Sequence, residues 1–147
     1  MADVRADIVV AADGSGDFKT VQQALDHVPE NNNRTVVIRI KPGVYHEQIR
    51  VSAGKSHITF RGEDPLKTIL TFKLSAQQAG NTRLAFSTFV NADDFRAENV
   101  TFENSFGTGS QAVALFVDAD RATFRNCRFL GWQDTLFVNG SRHYFKD

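Results

Sequence analysis

Two stretches of the chain resemble each other, Phe95-Arg96-Ala97-Glu98-Asn99-Val100-Thr101-Phe102 and Phe124-Arg125-Asn126-Cys127-Arg128-Phe129. When Asn99 is aligned with Asn126, the phenylalanines that end the two stretches also coincide. A third, weaker match begins at Tyr144. Short strands that recur in this way, with stackable Phe and Asn side chains, are typical of a parallel β-helix. The repeat therefore predicts an all-β solenoid.

Further strands are predicted where β-branched or alternating apolar residues lie between Gly, Pro and Asp turns: residues 8–10, 35–40, 47–51, 57–61, 68–72 and 84–90. Residues 73–83 are polar and helix-poor, and are expected to form an exposed loop. The rival interpretation is an antiparallel β-sandwich. It requires tight two-residue hairpins, but of the Asn-Gly and Asp-Gly pairs only Asn139-Gly140 lies between predicted strands.

One amphipathic helix is predicted near the N-terminus. Apolar residues recur at i, i+3, i+4 and i+7 from Val21 to Val28. Thr20 and Gln23 have the spacing of a capping box, and Pro29 ends the pattern. We expect this helix, the only one predicted in the chain, to cover the open end of the solenoid.

Length and composition narrow the classes of protein to which this chain can belong. The 147 residues predict a single domain, residues 1–147. Lys+Arg and Asp+Glu both number 17, so no nucleic acid or anionic membrane is expected to bind through bulk charge. No signal-peptide pattern is visible, and no apolar run reaches the ~20 residues of a membrane span. Cys127 has no disulfide partner and is expected to be a small buried hydrophobic residue.

A candidate site lies in the stretch Gly131-Trp132-Gln133-Asp134-Thr135-Leu136-Phe137. A carboxyl group enclosed by apolar neighbours resists ionisation, which makes Asp134 a candidate general acid. The amide of Gln133 can donate an N–H to a developing oxyanion. Consecutive strand residues point to opposite faces, so these two side chains can share a site only where the strand bends or ends. The structural alternative is a hydrogen-bonded Gln-Asp pair in a turn.

Several blocks of the sequence resemble the pectin methylesterase (pectinesterase) family and occur in the family's order through essentially the whole chain. They are residues 13–22 (DGSGDFKTVQ), 41–47 (KPGVYHE), 111–115 (QAVAL) and 131–137 (GWQDTLF), the last with Trp132 and Phe137 in place of two tyrosines. The resemblance implies a right-handed parallel β-helix. It also implies hydrolysis of the methyl esters of polygalacturonate (pectin) to carboxylate and methanol, outside the cytoplasm and without a metal or cofactor.

The resemblance also implies roles for individual residues. Asp134 matches the general acid/base that protonates the departing methoxide and later activates water. Gln111 and Gln133 match the amides that hold the oxyanion, and Gln111 also contacts substrate. Thr88 matches a threonine near the substrate. Trp132 is equally compatible with stacking on a sugar ring and with covering the core.

Two features of the family are missing from the sequence. Its nucleophile is a second aspartate in a Gly-Thr-Val-Asp-Phe-Ile-Phe-Gly block, and the arginine that orients it lies in a Gly-Arg-Pro-Trp block; neither block is present. The chain ends at Asp147, about where the next coil would begin. We therefore expect an N-terminal half of a catalytic domain, truncated at its C-terminal end and inactive alone. An uncapped last coil predicts self-association.

Two alternatives to the esterase remain. The first is a non-catalytic β-helix module that binds polygalacturonate without cleaving it. The second is a pectate-lyase-like enzyme, which would need a cluster of acidic calcium ligands. Asp118 and Asp120 alone are too few for such a cluster.

Overall fold

The computed structural model describes residues 7–147 as a stack of short strands with little helix. The strands are β1 (Asp7–Val10), β2 (Val36–Ile40), β3 (Gly43–His46), β4 (Ile49–Val51), β5 (Ile58–Arg61), β6 (Thr68–Phe72), β7 (Phe86–Val90), β8 (Arg96–Glu98), β9 (Thr101–Asn104), β10 (Val113–Val117), β11 (Ala122–Arg125), β12 (Arg128–Leu130), β13 (Leu136–Val138) and β14 (His143–Lys146). The helices are α1 (Val21–His27), α2 (Ala76–Ala79) and a 3-10 turn (Thr82–Leu84).

The strands form three sheets, and each full coil contributes one strand to each sheet. Sheet 1 has the order β1-β2-β5-β8-β11-β14, sheet 2 has β3-β6-β9-β12, and sheet 3 has β4-β7-β10-β13. Every strand pair among residues 7–147 is parallel. The parallel β-helix is confirmed, and the antiparallel sandwich is wrong: Asn139-Gly140 joins β13 to β14, which belong to different sheets.

The repeat seen in the sequence sets the register of the stack. Phe129 pairs with Phe102, as the alignment of the two stretches requires. Their rings stack at 5.8 Å with an interplanar angle of 6°, and the rings of Phe124 and Phe145 stack at 4.9 Å. Cys127 is half-buried against this core, and burial raises the pKa of its thiol to about 11.

Helix α1 covers the N-terminal end of the stack, as predicted. Val21, Ala24 and Leu25 are buried in the core, and Thr20 and Gln23 form the predicted capping box. The carboxylate of Glu47 accepts N–H groups from the first turn, at 3.0 Å from Val21 and 2.8 Å from Gln22. These bonds tie the helix to the first full coil.

Two predictions about local structure are wrong. Residues 73–83 are not a plain exposed loop: they contain α2 and the start of the 3-10 turn, and Ser75 and Ala76 are buried. Ser75 and Gln78 form a second capping box, so α1 is not the only helix. No strand was predicted at residues 43–46, but they form β3, whose backbone pairs with β6.

Candidate active site

The predicted amides lie at one edge of sheet 3, in adjacent coils. Gln111 comes shortly before β10, and Gln133 comes shortly before β13, the strand that pairs with β10. The N–H of Ala112 donates to the carbonyl oxygen of Gln133 at 3.0 Å. The fold therefore brings together two glutamines that are separated in the sequence.

Helix α2, which the sequence interpretation missed, holds the backbone of this edge. The first N–H of the helix, on Ala76, donates to the carbonyl oxygen of Gln111 at 2.7 Å. The next N–H, on Gln77, donates to the hydroxyl of Ser110 at 3.3 Å. The polar segment between β6 and β7 therefore fixes the position of Gln111. Its signal in the sequence was the Ser75-x-x-Gln78 capping spacing.

Asp134 lies in a bend, as a shared site with Gln133 requires. Its φ of 56° is in the left-handed region, and residues 132–134 bend before β13 begins at Leu136. The carbonyl oxygen of Thr135 then accepts two N–H groups of β10, from Ala114 at 2.9 Å and Leu115 at 3.2 Å. Because the backbone is not a regular strand here, alternation does not force Gln133 and Asp134 onto opposite faces.

Position 131 requires a glycine because the side chain of Thr135 lies close to its backbone. A Cβ atom added to it would lie 2.8 Å from the hydroxyl oxygen of Thr135 and 3.1 Å from its methyl carbon. The bend that presents Gln133 and Asp134 is therefore closed by contact between the backbone of Gly131 and the side chain of Thr135.

The exposure of the site differs from what the sequence suggests. Asp134 and Gln133 are exposed, so the carboxyl group is not enclosed by apolar side chains. Trp132 is 72% exposed and does not cover the core, which leaves its ring free for a ligand. The part of the site that β13 presents is thus open to solvent.

Thr88 does not have the exposure that a substrate contact needs. Its side chain is fully buried in β7, and the residues paired with it, Ile49 and Leu115, are both in the core. Its hydroxyl oxygen has no hydrogen-bond partner among the described residues. That Thr88 lies near the substrate stays a prediction, which its burial does not support.

A small aromatic cluster supports sheet 3 and was not foreseen. Phe89, Phe116 and Phe137 pair in register across three coils, with ring centroids 4.7 Å apart at each step. The guanidinium carbon of Arg50 lies 5.7 Å from the Phe89 ring, and that of Arg83 lies 6.0 Å from the Phe137 ring. Phe137 thus anchors the strand that follows Asp134.

Residues 7–147 were also searched for a metal site and for a membrane-spanning helix. Among residues 7–147, no group of three or more His, Cys, Asp and Glu side chains is placed to hold a metal ion. In the same part of the chain, no helix has the length and apolar character needed to cross a membrane. That the chain needs no cofactor stays a prediction.

The sequence model of the pectinesterase family matches residues 7–147. The chain belongs to the pectinesterase family. Pectinesterase 31 of Arabidopsis thaliana is 47% identical over 149 residues, which cover 94% of this chain and 47% of that protein. Another Arabidopsis relative, described as a pectinesterase/pectinesterase inhibitor, is 46% identical over 98% of this chain and 26% of its own length.

The solved structure of a pectin methylesterase from carrot superimposes with a TM-score of 0.91 and 38% identity, covering 99% of this chain and 45% of that one. This likeness confirms the predicted right-handed parallel β-helix. A pectin methylesterase crystallised in complex with a hexasaccharide has a TM-score of 0.85 and 28% identity, over 95% of this chain and 47% of its own. This member of the pectinesterase family thus spans less than half the length of these relatives.

Proposed function

We propose that this chain forms the part of a pectin methylesterase that stabilises the oxyanion and transfers the proton during hydrolysis of methyl esters on polygalacturonate. The observation that carries the proposal is the position of Gln111 and Gln133 in adjacent coils at one edge of sheet 3, with Asp134 beside Gln133 in an exposed bend. Family membership and the names of the relatives support the substrate class.

The chemistry assigns a different task to each side chain. A nucleophile attacks the ester carbonyl carbon, and the electron pair of the C=O bond moves onto oxygen. The side-chain N–H groups of Gln111 and Gln133 stabilise that oxyanion. When the tetrahedral intermediate collapses, the C–O bond to methoxide breaks and protonated Asp134 gives its proton to the leaving oxygen. Asp134 then accepts a proton from the water that cleaves the acyl intermediate.

Trp132 and Gln111 complete the proposed substrate contacts. The exposed indole of Trp132 offers an apolar face to a sugar ring, while Thr88 is omitted because it is buried. The hexasaccharide complex of a relative supports an oligosaccharide as ligand. Location outside the cytoplasm belongs to the same proposal and rests on the family resemblance.

The nucleophile is not assigned within residues 1–147, because neither family block that would carry it or its arginine is present. We therefore expect no methanol release from the 147 residues alone. The test uses residues 7–147 fused to the remaining part of the carrot enzyme, with the join set by the superposition. The measured quantity is methanol released from highly methylated pectin.

In this chimera Asp134→Asn should lower kcat by about 10²–10⁴-fold, the range of general acid–base catalysis. Gln111→Ala and Gln133→Ala should each lower it by about 10²–10³-fold. Glu63→Gln is the matched control, because Glu63 is exposed and lies in the corner after β5. Full activity in the Asp134→Asn chimera would contradict the proposed role.

The second candidate is a module that binds pectin without cleaving it, which the missing nucleophile block favours. It predicts pectin binding by the 147 residues that Trp132→Ala weakens. It also predicts that the chimera stays inactive although circular dichroism shows that it is folded.

A further inference from the structure

The outer face of sheet 1 carries a row of charged side chains, all but one of them cationic, which results from the register of its strands. Arg39 pairs with Arg61, Arg61 with Glu98, Glu98 with Arg125, and Arg125 with Lys146. Neighbouring strands lie about 4.8 Å apart, so these side chains form a column along the helix axis. Arg96 lies in β8, two residues from Glu98 and on the same face of the sheet.

The cations on this face differ in their ion pairing. Arg39 binds Asp7 at 2.9 Å, and Arg61 binds Glu98 at 3.0 Å. Arg96, Arg125 and Lys146 are exposed and make no ion pair or side-chain hydrogen bond within residues 7–147. Exposed cations without carboxylate partners attract an anionic ligand, and an arginine can bind a carboxylate with two parallel hydrogen bonds.

The unpaired cations lie beside an exposed aromatic ring. A shallow groove on this face is lined by Arg96, Glu98, Thr123, Arg125 and Tyr144, together with Ala97. Tyr144 pairs in register with Thr123, which pairs with Arg96. Tyr144 is 52% exposed, so the groove offers an aromatic ring beside the guanidinium groups of Arg96 and Arg125.

We propose that this groove binds the de-esterified product, an acidic polygalacturonate chain, at a site separate from the one around Asp134. Arg96 and Arg125 hold carboxylates of successive sugar units, Tyr144 stacks on a sugar ring, and Lys146 extends the positive field. The choice of ligand rests on the proposed function, because each ester hydrolysed adds a negative charge to the polymer. The methylated substrate is neutral and lacks the groups that the arginines bind.

Such a face would retain the protein on stretches of polymer that have already been processed. Asp134 lies before β13 in sheet 3, whereas the groove lies on sheet 1. The same molecule can therefore hold a demethylated segment on one sheet while a methylated segment reaches the other.

The test measures binding of the 147-residue chain to fully de-esterified polygalacturonate by isothermal titration calorimetry at low and high salt. The double variant Arg96→Gln/Arg125→Gln should bind about tenfold or more weakly at low salt, with a shallower salt dependence, because charge contacts are screened by salt. The double variant Arg96→Lys/Arg125→Lys keeps the charge but loses the fork geometry, so its loss should be intermediate.

The matched control is Lys67→Gln/Lys73→Gln, which removes the same charge at exposed positions before and after β6 in sheet 2. This control variant should bind with an affinity within about twofold of that of the parent chain, because salt screens the attraction of charges that lie away from the groove. An equal loss in the control, or equally tight binding of highly methylated pectin, would overturn the proposal.

Two separate readouts distinguish this inference from the proposed function. The affinity for polygalacturonate is measured on the 147-residue chain, whereas methanol release is measured on the chimera. Binding to the sheet 1 face does not require methanol release, so failure of the esterase proposal and failure of this one give different results.

Discussion

The side-chain amide of Asn126 donates a hydrogen bond to the side-chain oxygen of Asn99, 2.8 Å away in the preceding coil. Both residues have left-handed backbone conformations, with φ values of 49° and 58°. Asn99 in turn donates to the carbonyl oxygen of Gly62 at 3.1 Å, one coil earlier. A column of amides therefore runs along the turn between sheets 1 and 2, which confirms the predicted stacking of Asn side chains.

Replacing Asn126 should destabilise the fold in two separable parts. In Asn126→Ala the left-handed backbone costs about 1–2 kcal/mol and the lost hydrogen bond about 1 kcal/mol. Asn126→Gly relieves the backbone cost and loses only the hydrogen bond, so it should be the milder change. Urea unfolding of both variants measures the difference. Equal destabilisation by Ala and Gly would show that the backbone conformation carries no cost.

Gly131→Ala should distort the bend that presents Gln133 and Asp134. The new methyl group would meet the Thr135 side chain at 2.8 Å, an overpacking that typically costs about 1–3 kcal/mol. Combining it with Thr135→Ala removes both of the closest atoms and should restore most of the loss. Thermal unfolding of the single and double variants tests this. If the double variant is as unstable as the single one, Thr135 is not the cause.

Glu47 should make stability depend on pH. Burial raises the pKa of this carboxyl above its ordinary value, although the N–H groups of Gln22 and Val21 oppose the shift. A raised pKa in the folded state means that the group contributes stability at low pH, and this is lost as pH rises above 4.5 toward the folded-state pKa. The free energy of unfolding should therefore fall over this range, and less steeply in Glu47→Gln.

The control for this experiment is Glu63→Gln, a change at an exposed carboxyl group with the same loss of charge. Its pH profile should follow that of the parent chain. The contradicting result would be parallel profiles for the parent and Glu47→Gln between about pH 4 and about pH 7, an interval that starts just below the ordinary carboxyl pKa of 4.5.

The last coil should promote self-association of the 147-residue chain. Strands β12, β13 and β14 each lie at the end of a sheet, and Leu136, Val138 and Phe145 are exposed there. Unpaired edges with apolar side chains favour contact with another copy. Phe145→Lys should shift the species seen by light-scattering chromatography toward monomer. Leu66→Lys, at an exposed apolar residue away from this end, should not.

Much of the fold was readable from the sequence because the signals repeat. The Asn99 and Asn126 alignment gave the register of two coils, and the Thr20 capping box placed α1. Helix α2 was missed because four residues are too few to show an apolar period, although the Ser75 and Gln78 spacing was present. Strand β3 was missed because its pairing with β6 is a long-range property that local turn residues conceal.

The residues of the candidate site were predictable from the sequence, but their exposure to solvent was not. The local sequence indicated Gln133 and Asp134, and the position of Gln111 beside them followed only from the stacking of β10 and β13. The burial of Thr88 could not be read from apolar–polar alternation, because aromatic residues of β7 pack in a second cluster outside the main core. The cationic groove on sheet 1 likewise depends on the register of three strands.

The stacking of coils also makes the molecule mechanically anisotropic. The inter-coil hydrogen bonds of each strand join only the neighbouring coils, so a load along the axis falls on one set of bonds after another. A pull in that direction would peel the chain coil by coil at low force. A pull along the strands would load all the bonds of a strand in shear at once, and the same molecule would resist it much more strongly.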